Sequence, residues 1–459
     1  MSKGKHDQVD MLHGPLLGKL ILFALPLALS SILQQLFNAV DIAVLGQFAT
    51  SQDQAAVGCT SAVINMFLNL FLGISVGANV VIATYIGQRD KEKVQASVHT
   101  AMLIALISGF VMMLVGFVTA RPILELIQTP ESVLGKAVLY LLIYFAGMPF
   151  IMVYNFGAAI LRSVGDTKRP LICLTVSGVL NAGLNIFLVA VCGMDVDGVA
   201  LATIISQAVS AALVTRSLML MDGPTRLQLN RLSIKPHIMR MIIQIGLPAG
   251  IQSCMFSLSN VVIQSSVNSF GSIVIAGNAA GANVGNFVYQ AMNTFQQAVT
   301  CFAGQNIGAR KPRRVLSSMY VSLFWALSFG VVFGVLSCVF GTQLLGLYSP
   351  DPAVIQVGLN RMYIVCGPYF LCGIMDVMTG VLRGVGYSLL PMIVSLMGAC
   401  VFRIFWVMTI FAANRTMDCL MISYPVSWAL TFLVLVGIFV VLWNKKIKPR
   451  YTPEELAAR

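Results

Sequence analysis

Charged side chains are scarce in this sequence. Only 10% of its 459 residues are charged, whereas 58% are hydrophobic and the mean hydropathy is +0.85. A soluble domain carries roughly 25% charged residues, because polar groups must cover its surface. The scarcity therefore excludes an ordinary soluble protein.

Patterns typical of metal sites and enzyme active sites are also lacking. The ten cysteines lie mostly in apolar runs as packing residues, and none forms a CxxC pair or a Cys/His cluster with metal spacing. The four histidines lie at span ends or in loops, and no phosphate-cradling loop is present. We therefore expect no structural metal, no cofactor, no enzymatic activity and no ATP-driven pumping.

Apolar runs recur along nearly the whole chain, and each is long enough to cross a hydrocarbon core of ~30 Å as a helix. We therefore predict an all-α integral membrane protein with about twelve transmembrane helices. The predicted spans are 16–45, 55–85, 97–118, 133–160, 171–191, 197–218, 238–265, 276–303, 316–340, 354–381, 390–413 and 420–443.

The basic residues support this number of spans. If both termini are cytoplasmic, 24 of the 29 Lys and Arg residues fall in cytoplasmic loops, span flanks or termini. This distribution follows the positive-inside rule and explains the net charge of +12 without a nucleic acid partner. We predict a multi-pass plasma-membrane protein with both termini in the cytoplasm, and Arg403 as its one deep cation. The five basic residues outside the cytoplasmic set are Arg121, Lys136, Arg361, Arg403 and Arg415.

The sequence contains an internal repeat with an offset of 220 to 222 residues. Six spans separate the copies, so both halves have the same orientation, and the repeat predicts two six-helix lobes about a pseudo-two-fold axis along the membrane normal. The predicted N-terminal lobe is 1–220, the cytoplasmic linker 221–236 and the C-terminal lobe 237–459. The matching segments are Leu25-Pro26 with Leu247-Pro248, the loop 86–94 with 307–315, Thr129-Pro130 with Ser349-Pro350, and 161–165 with 382–386.

These motifs resemble those of the multidrug and toxic compound extrusion (MATE) transporters over essentially the whole chain. The resemblance is carried by the duplicated six-plus-six layout, a proline in the first helix of each half, Val40-Asp41-Ile42, the Ile-Gly-x-basic loops and the Leu-Arg-x-Val-Gly segments. It implies export of small amphipathic or cationic compounds by alternating access, coupled to entry of H⁺ or Na⁺.

Two of the 17 acidic residues fall inside predicted spans, Asp41 and Asp376. A carboxylate at membrane depth costs about 2.5–3.5 kcal/mol on insertion scales, so each is a functional hypothesis by default. Asp41 lies 25 residues beyond Leu16, or ~38 Å along a helix, which places it in the outward half of the membrane. There it can exchange a proton or Na⁺ with the outside. The other interpretation is a neutral acid that is only structural.

The resemblance places the partners of Asp41 at Asn181 and Asn185 in span 5 and at Thr203 in span 6. Asn181 and Asn185 are four residues apart, so they face one side of their helix. Carboxylate, amide and hydroxyl oxygens suit a hard cation. Many relatives carry Asp where this chain has Asn185, so the site has one carboxylate fewer. Each Asn alone is equally explained by a hydrogen bond between helices.

Asp376 allows two interpretations. It forms a structural ion pair with Arg403 in span 11, or it is a second protonatable site.

Pro26, which lacks an N–H, is a candidate hinge in span 1 or a static kink. Intramembrane amides and apolar groups suit the wall of a polar substrate cavity. The candidate cavity residues are Gln34, Phe37, Asn38, Met66, Asn155, Gln207, Asn260, Gln264 and Asn283.

The sequence favours a secondary multidrug antiporter that functions as a monomer in the lipid bilayer and transports small molecules. The alternative is a flippase for lipid-linked precursors, which would line its cavity with several basic residues. A membrane enzyme or receptor is the third class.

Overall fold

A computed structural model describes residues 8–48 and 51–457 of the chain. Within these ranges, every regular element is a helix. This agrees with the sequence, because a backbone in hydrocarbon must satisfy its own N–H and C=O groups, and a helix does so within one segment.

The first half of the chain contains seven α-helices, of which the sixth continues as a π-helical segment, Ile186–Val191. The helices are α1 (Leu16–Phe48), α2 (Ser51–Gly87), α3 (Lys91–Leu126), α4 (Glu131–Ala146), α5 (Met148–Ser163), α6 (Lys168–Asn185) and α7 (Val196–Met219).

The second half repeats this order with more interruptions. Its helices are α8 (Pro236–Asn268), α9 (Ser272–Gly308), α10 (Pro312–Val339), α11 (Gly341–Gly346), α12 (Pro352–Arg361), α13 (Tyr369–Gly384), α14 (Leu389–Ser395), α15 (Phe402–Trp406), α16 (Met417–Leu442) and α17 (Pro453–Ala457).

Among the described residues, nine helices are long and apolar enough to cross a membrane, and two bent pairs of helices raise the number to eleven. The pairs are α4 with α5, bent by 47°, and α12 with α13, bent by 42°. Each bend falls where a Gly is followed closely by a Pro, Gly147 by Pro149 and Gly367 by Pro368, and proline removes a helical hydrogen bond. The prediction of an all-α membrane fold is confirmed.

The one predicted span outside these eleven is the eighth, 276–303, which lies within α9. This helix is continuous over 37 residues, but it is less apolar than the others because amide side chains recur along it. They are Asn278, Asn283, Asn286, Gln290, Asn293, Gln296 and Gln297.

The chain folds into two compact units, and each unit combines residues from both halves of the sequence. The first unit contains Leu29–Gly250 and the described residues up to Val9, and the second contains Asp10–Ala28 and the described residues from Ile251 onwards. The unit boundaries therefore fall inside α1 and α8, two residues after Pro26 and after Pro248. The repeat divides the sequence differently, into two lobes joined by a linker at 221–236, and this division stays a prediction.

The first unit holds the start of α8 through a close contact between backbones. A Cβ atom on Gly77 would lie 2.1 Å from the carbonyl oxygen of Ile242, and one on Gly246 would lie 2.5 Å from Cα of Ile74. Gly73 and Gly250 make equally close approaches to the facing helix. Two Gly-x-x-x-Gly pairs thus face each other, an arrangement that lets membrane helices pack at short distance.

Candidate cation site and the buried arginines

Asp41 is positioned by the packing of α1 on α6 within the first unit. Phe37, one turn before Asp41, lies so close to α6 that a Cβ atom on Gly178 would be 1.8 Å from its ring. Because Gly178 has no side chain, the two helices approach here. The next turn of α1 then brings Asp41 to Asn185, about two turns beyond Gly178.

Three of the four residues predicted for the cation site come together. The amide nitrogen Nδ2 of Asn185 donates to Oδ1 of Asp41 and, at 3.2 Å, to Oδ1 of Asn181. Asn181 and Asn185 are both buried, whereas Asp41 is half-buried. The carboxylate thus lies at an edge of the packed helices, and the two buried amide side chains lie on its inner side.

Thr203 does not join this cluster. Its hydroxyl donates to the carbonyl oxygen of Val199 in its own helix at 3.0 Å, and no hydrogen bond links it to Asp41, Asn181 or Asn185 in the described part of the chain. The hydroxyl hydrogen is therefore already used, because a threonine in a helix readily bonds the carbonyl four residues earlier.

The cluster leaves one strong acceptor unused. Oδ1 of Asn185 is buried, and no described residue donates to it. A buried polar atom without a partner is costly, so this oxygen favours a cation or a protonated group beside it. The hydroxyl groups of Tyr140 and Tyr144 lie within electrostatic range of Asp41. The donor set of carboxylate and amide oxygens thus fits H⁺ or Na⁺.

The second unit contains the other intramembrane acid, Asp376 on α13. Its carboxyl group is buried and interacts with the nearby polar side chains of Tyr289 and Asn293 of α9. It interacts electrostatically with Arg383, seven residues later on the same helix. Its Oδ2 atom has no hydrogen-bond partner among the described residues.

The ion pair between Asp376 and Arg403 is not formed, so this interpretation of the sequence is wrong. Nε of Arg403 donates to Oγ of Ser427 at 2.9 Å. The guanidinium lies 4.2 Å from the ring centre of Tyr424 and 5.8 Å from that of Trp428. Cation–π contacts of this kind stabilise a desolvated guanidinium by about 2 kcal/mol. Arg403 is thus accommodated by α16 without a carboxylate. The second interpretation of Asp376, a protonatable site, stays a prediction.

Arg403 is one of three arginines that are buried among the described residues; their depth in the membrane stays a prediction. Arg383, expected at a cytoplasmic flank, is buried and donates from its NH2 group to Oε1 of Gln252 at 2.6 Å. Arg361 is buried as well and donates to Oδ1 of Asn278 at 2.9 Å. Asp376 and Arg383 are seven residues apart, so they lie on one face of the same helix. This spacing could have indicated from the sequence that Arg383 lies near an acid.

The nine predicted cavity residues divide into three groups. Asn155, Gln264 and Phe37 are engaged in contacts: Asn155 donates to the carbonyl oxygen of Ile151 at 2.8 Å, Gln264 accepts from Asn278 at 3.1 Å, and Phe37 packs on Gly178. Gln207 has a buried Oε1 without a partner among the described residues. The remaining five are exposed on the described surface: Gln34, Asn38, Met66, Asn260 and Asn283.

The exposed amides need water or a polar ligand, because lipid tails offer no hydrogen bonds. Gln34 and Asn38 lie four residues apart on one face of α1, so they form a short polar strip one turn before Asp41. The role of these residues in a substrate cavity stays a prediction.

A model of one protein family matches the chain twice. The MatE model covers residues 26–187 and 248–409. The two matches begin 222 residues apart, which is the offset of the repeat, and the first contains Asp41, Asn181 and Asn185. The chain belongs to the MatE family. The resemblance to MATE transporters is thereby confirmed, and the protein is a membrane transporter and not an enzyme.

Individual relatives match over most of their length. The chain is 26% identical to the probable multidrug resistance protein YoeA of Bacillus subtilis, over 93% of this chain and 94% of that protein. It is 27% identical to the probable multidrug resistance protein NorM of Thermotoga maritima, over 82% of each.

A solved structure of an outward-facing multidrug resistance MATE family transporter has a TM-score of 0.88 at 20% identity. The match covers 95% of this chain and 99% of that one. The structural likeness shows that the MATE fold is present.

Proposed function

We propose that this MATE transporter exports small amphipathic or cationic compounds by alternating access, driven by entry of H⁺ or Na⁺ through the Asp41 site. The observation that carries the proposal is the cluster of Asp41, Asn185 and Asn181, with the unused acceptor Oδ1 of Asn185 beside the carboxylate. The names of the two relatives, both described as probable multidrug resistance proteins, support the class of substrate.

The hydrogen bonds that the cluster offers differ for a charged and for a neutral Asp41. A carboxylate accepts the amide hydrogen of Asn185, whereas a protonated carboxyl group must donate to an acceptor. Oδ1 of the same amide becomes available for that hydrogen, or for Na⁺, after a rotation of the side chain. Binding of either ion neutralises the half-buried carboxylate, and removing a partly desolvated charge changes the local free energy. Such a change can bias a transporter that has two packing arrangements.

Pro26 is proposed as the hinge through which α1 responds. It lies two residues before the point at which α1 passes from the second compact unit to the first, and Asp41 lies on the part beyond it. A proline weakens the helix locally because it cannot donate to the preceding turn.

The three buried arginines make the flippase alternative worth testing, since a flippase needs basic groups for a diphosphate. Each has a partner in the protein: Arg361 bonds Asn278, Arg383 bonds Gln252, and Arg403 bonds Ser427. Because all three side chains are also buried, a diphosphate has little access to them, which favours the multidrug antiporter.

Several further features belong to the same proposal. The protein functions as a monomer in the plasma membrane, with both termini in the cytoplasm, as the distribution of basic residues indicates. It needs no cofactor, because the coupling ion is transported and not retained. Its partners are small-molecule substrates and lipid, without nucleic acid.

The deciding experiment imposes a pH gradient and a Na⁺ gradient separately on proteoliposomes that contain the purified protein. Export of a fluorescent cationic dye under one of the two gradients is expected, and its dependence on the gradient identifies the ion. Movement of a lipid-linked diphosphate under conditions in which neither gradient drives dye export would replace this proposal by the flippase.

A further inference from the structure

An open groove lies at the start of α10. Its volume is about 540 Å³, and it is lined by Leu16, Arg313, Arg314, Leu316, Ser317 and Tyr320. All six residues belong to the second compact unit. The described lining contains two arginines and no acidic residue, so the groove combines positive charge with apolar and hydroxyl surface.

The outer wall of this groove is one face of α10. Arg313, Ser317 and Tyr320 follow one another at intervals of four and three residues, and all three are exposed. The same face continues with Phe324 and Leu327, which are 52% and 42% exposed. Along the helix, the exposed groups are thus a cation, a hydroxyl, a phenol and then hydrocarbon.

This order matches the order of groups in a phospholipid. The phosphate of a lipid lies at the membrane surface, the ester region follows, and the acyl chain extends into the core. Tyrosine is enriched at the level of the headgroups, and basic pockets on the cytoplasmic side bind anionic headgroups. A soluble anion would not account for the hydrocarbon that continues the face beyond Tyr320.

The inner wall of the groove is held in place by the chain's N-terminal segment. Arg314 donates to the carbonyl oxygens of Met11 at 3.0 Å, His13 at 2.9 Å and Gly14 at 3.0 Å. These acceptors are neutral, so they fix the guanidinium without cancelling its charge; among the described residues, Asp10 is the acid within electrostatic range of it.

We propose that this groove binds one anionic phospholipid of the adjoining leaflet, with its phosphate at Arg313 and Ser317 and an acyl chain along Tyr320 and Phe324. The proposal requires only the membrane fold and holds for any transported substrate or ion. The repeat gives an internal contrast, because the residue 221 positions before Arg313 is Glu92. The corresponding face of α3 therefore begins with an acid, and the site belongs to one half of the protein.

The test measures lipid binding to the full-length protein in detergent, by native mass spectrometry and by the rise of the melting temperature. The probes are phosphatidylglycerol, phosphatidylcholine with the same acyl chains, and inorganic phosphate. We expect saturable binding of phosphatidylglycerol alone. Arg313→Gln should weaken it about fivefold, equivalent to about 1 kcal/mol, which is typical of one basic residue near an anionic surface.

Two further variants make the test specific. Lys91→Gln removes one exposed positive charge at the first residue of α3, in the repeat-related part of the other half, and should leave phosphatidylglycerol binding unchanged. Ser317→Asp places a negative charge on the exposed face of the groove and should weaken binding at least as much as Arg313→Gln, so the proposal does not depend on one variant folding. Equal losses for Lys91→Gln and Arg313→Gln, an equal effect of phosphatidylcholine, or an equal effect of inorganic phosphate would each overturn the proposal.

Discussion

At the scale of single residues, the chemistry of the protein depends on where each buried charge finds a partner. Asp41 is held by amides, whereas Arg403 is held by the hydroxyl of Ser427 and two aromatic rings. Asp376 faces Tyr289 and shares its helix face with Arg383. Asp41 therefore has no basic residue to neutralise it within the cluster described, which suits an acid that must gain and lose a cation.

The first prediction concerns Asp41. Asp41→Asn should lower ion-driven dye export in proteoliposomes by about tenfold or more. An amide is neutral whether or not the ion is present, so ion entry no longer neutralises a charge at this position; a tenfold effect corresponds to ~1.4 kcal/mol. Asn185→Leu should also impair export, since it removes the amide that donates to the carboxylate.

Thr203→Val is the matched control for these variants. Its hydroxyl donates within its own helix, so we expect export to change by less than about twofold, as for a residue outside the hydrogen-bonded cluster. A transport defect in Thr203→Val as large as that in Asp41→Asn would contradict the site as described. Gel-filtration profiles would establish that all three variants are folded.

At the scale of helices, close packing at glycine decides which segments form one unit. The facing pairs Gly73/Gly77 and Gly246/Gly250 bring α2 and the start of α8 into backbone contact. Both pairs are visible in the sequence, but Gly-x-x-x-Gly alone does not indicate which two helices meet.

The second prediction tests this contact. Gly246→Ala should lower the unfolding free energy by about 1–3 kcal/mol, the usual cost of overpacking, because the added Cβ would lie 2.5 Å from the backbone of Ile74. Gly183→Ala is the control: a Cβ there meets no described atom within 4 Å, so it should be neutral or stabilising by up to about 1 kcal/mol. Thermal unfolding in detergent compares the two, and similar melting temperatures would refute the close approach.

The third prediction concerns the short C-terminal helix α17, which is docked by Glu455. Its carboxylate pairs with Arg310 and accepts from the backbone N–H of Thr452, whose hydroxyl accepts from the N–H of Glu455. This reciprocal pattern is a capping box. The hydrogen bond from Arg310 is the main cause that lowers the pKa of Glu455 from 4.5 to about 2.

A carboxyl group with a lowered pKa stabilises the folded form above its unfolded pKa. Docking of α17 should therefore be complete at neutral pH and should weaken as the pH falls from 4.5 towards 2. Hydrogen exchange of residues 452–457 measures this, with Glu455→Gln expected to lose protection at neutral pH and Glu454→Gln to keep it. Equal protection in both variants would mean that the pair with Arg310 does not hold the helix.

At the scale of the whole molecule, each compact unit is built from both halves of the sequence. The first takes its last residues, up to Gly250, from beyond the predicted linker at 221–236, and the second includes Asp10–Ala28 from the chain's beginning. The boundaries of the compact units therefore fall inside α1 and α8, whereas the repeat divides the sequence at the predicted linker.

The fourth prediction follows from this exchange. If residues 1–228 and 229–459 are expressed as separate chains, each lacks part of its compact unit and should aggregate or be degraded alone. Co-expression should restore a stable complex that purifies together and exports dye. Two halves that are each monodisperse when expressed alone would show that the exchanged segments do not contribute to stability.

The sequence by itself determined the membrane fold, the repeat and the meeting of Asp41 with Asn181 and Asn185. These follow from length, hydropathy and the spacing of residues on one helix, which are local properties, together with the family pattern. Only the tertiary structure decided the partners of Arg403 and Arg383, the contact between α2 and α8, and the composition of the two units. Those depend on which faces of distant helices meet. Several polar partners compete for each buried charge, and packing selects one of them.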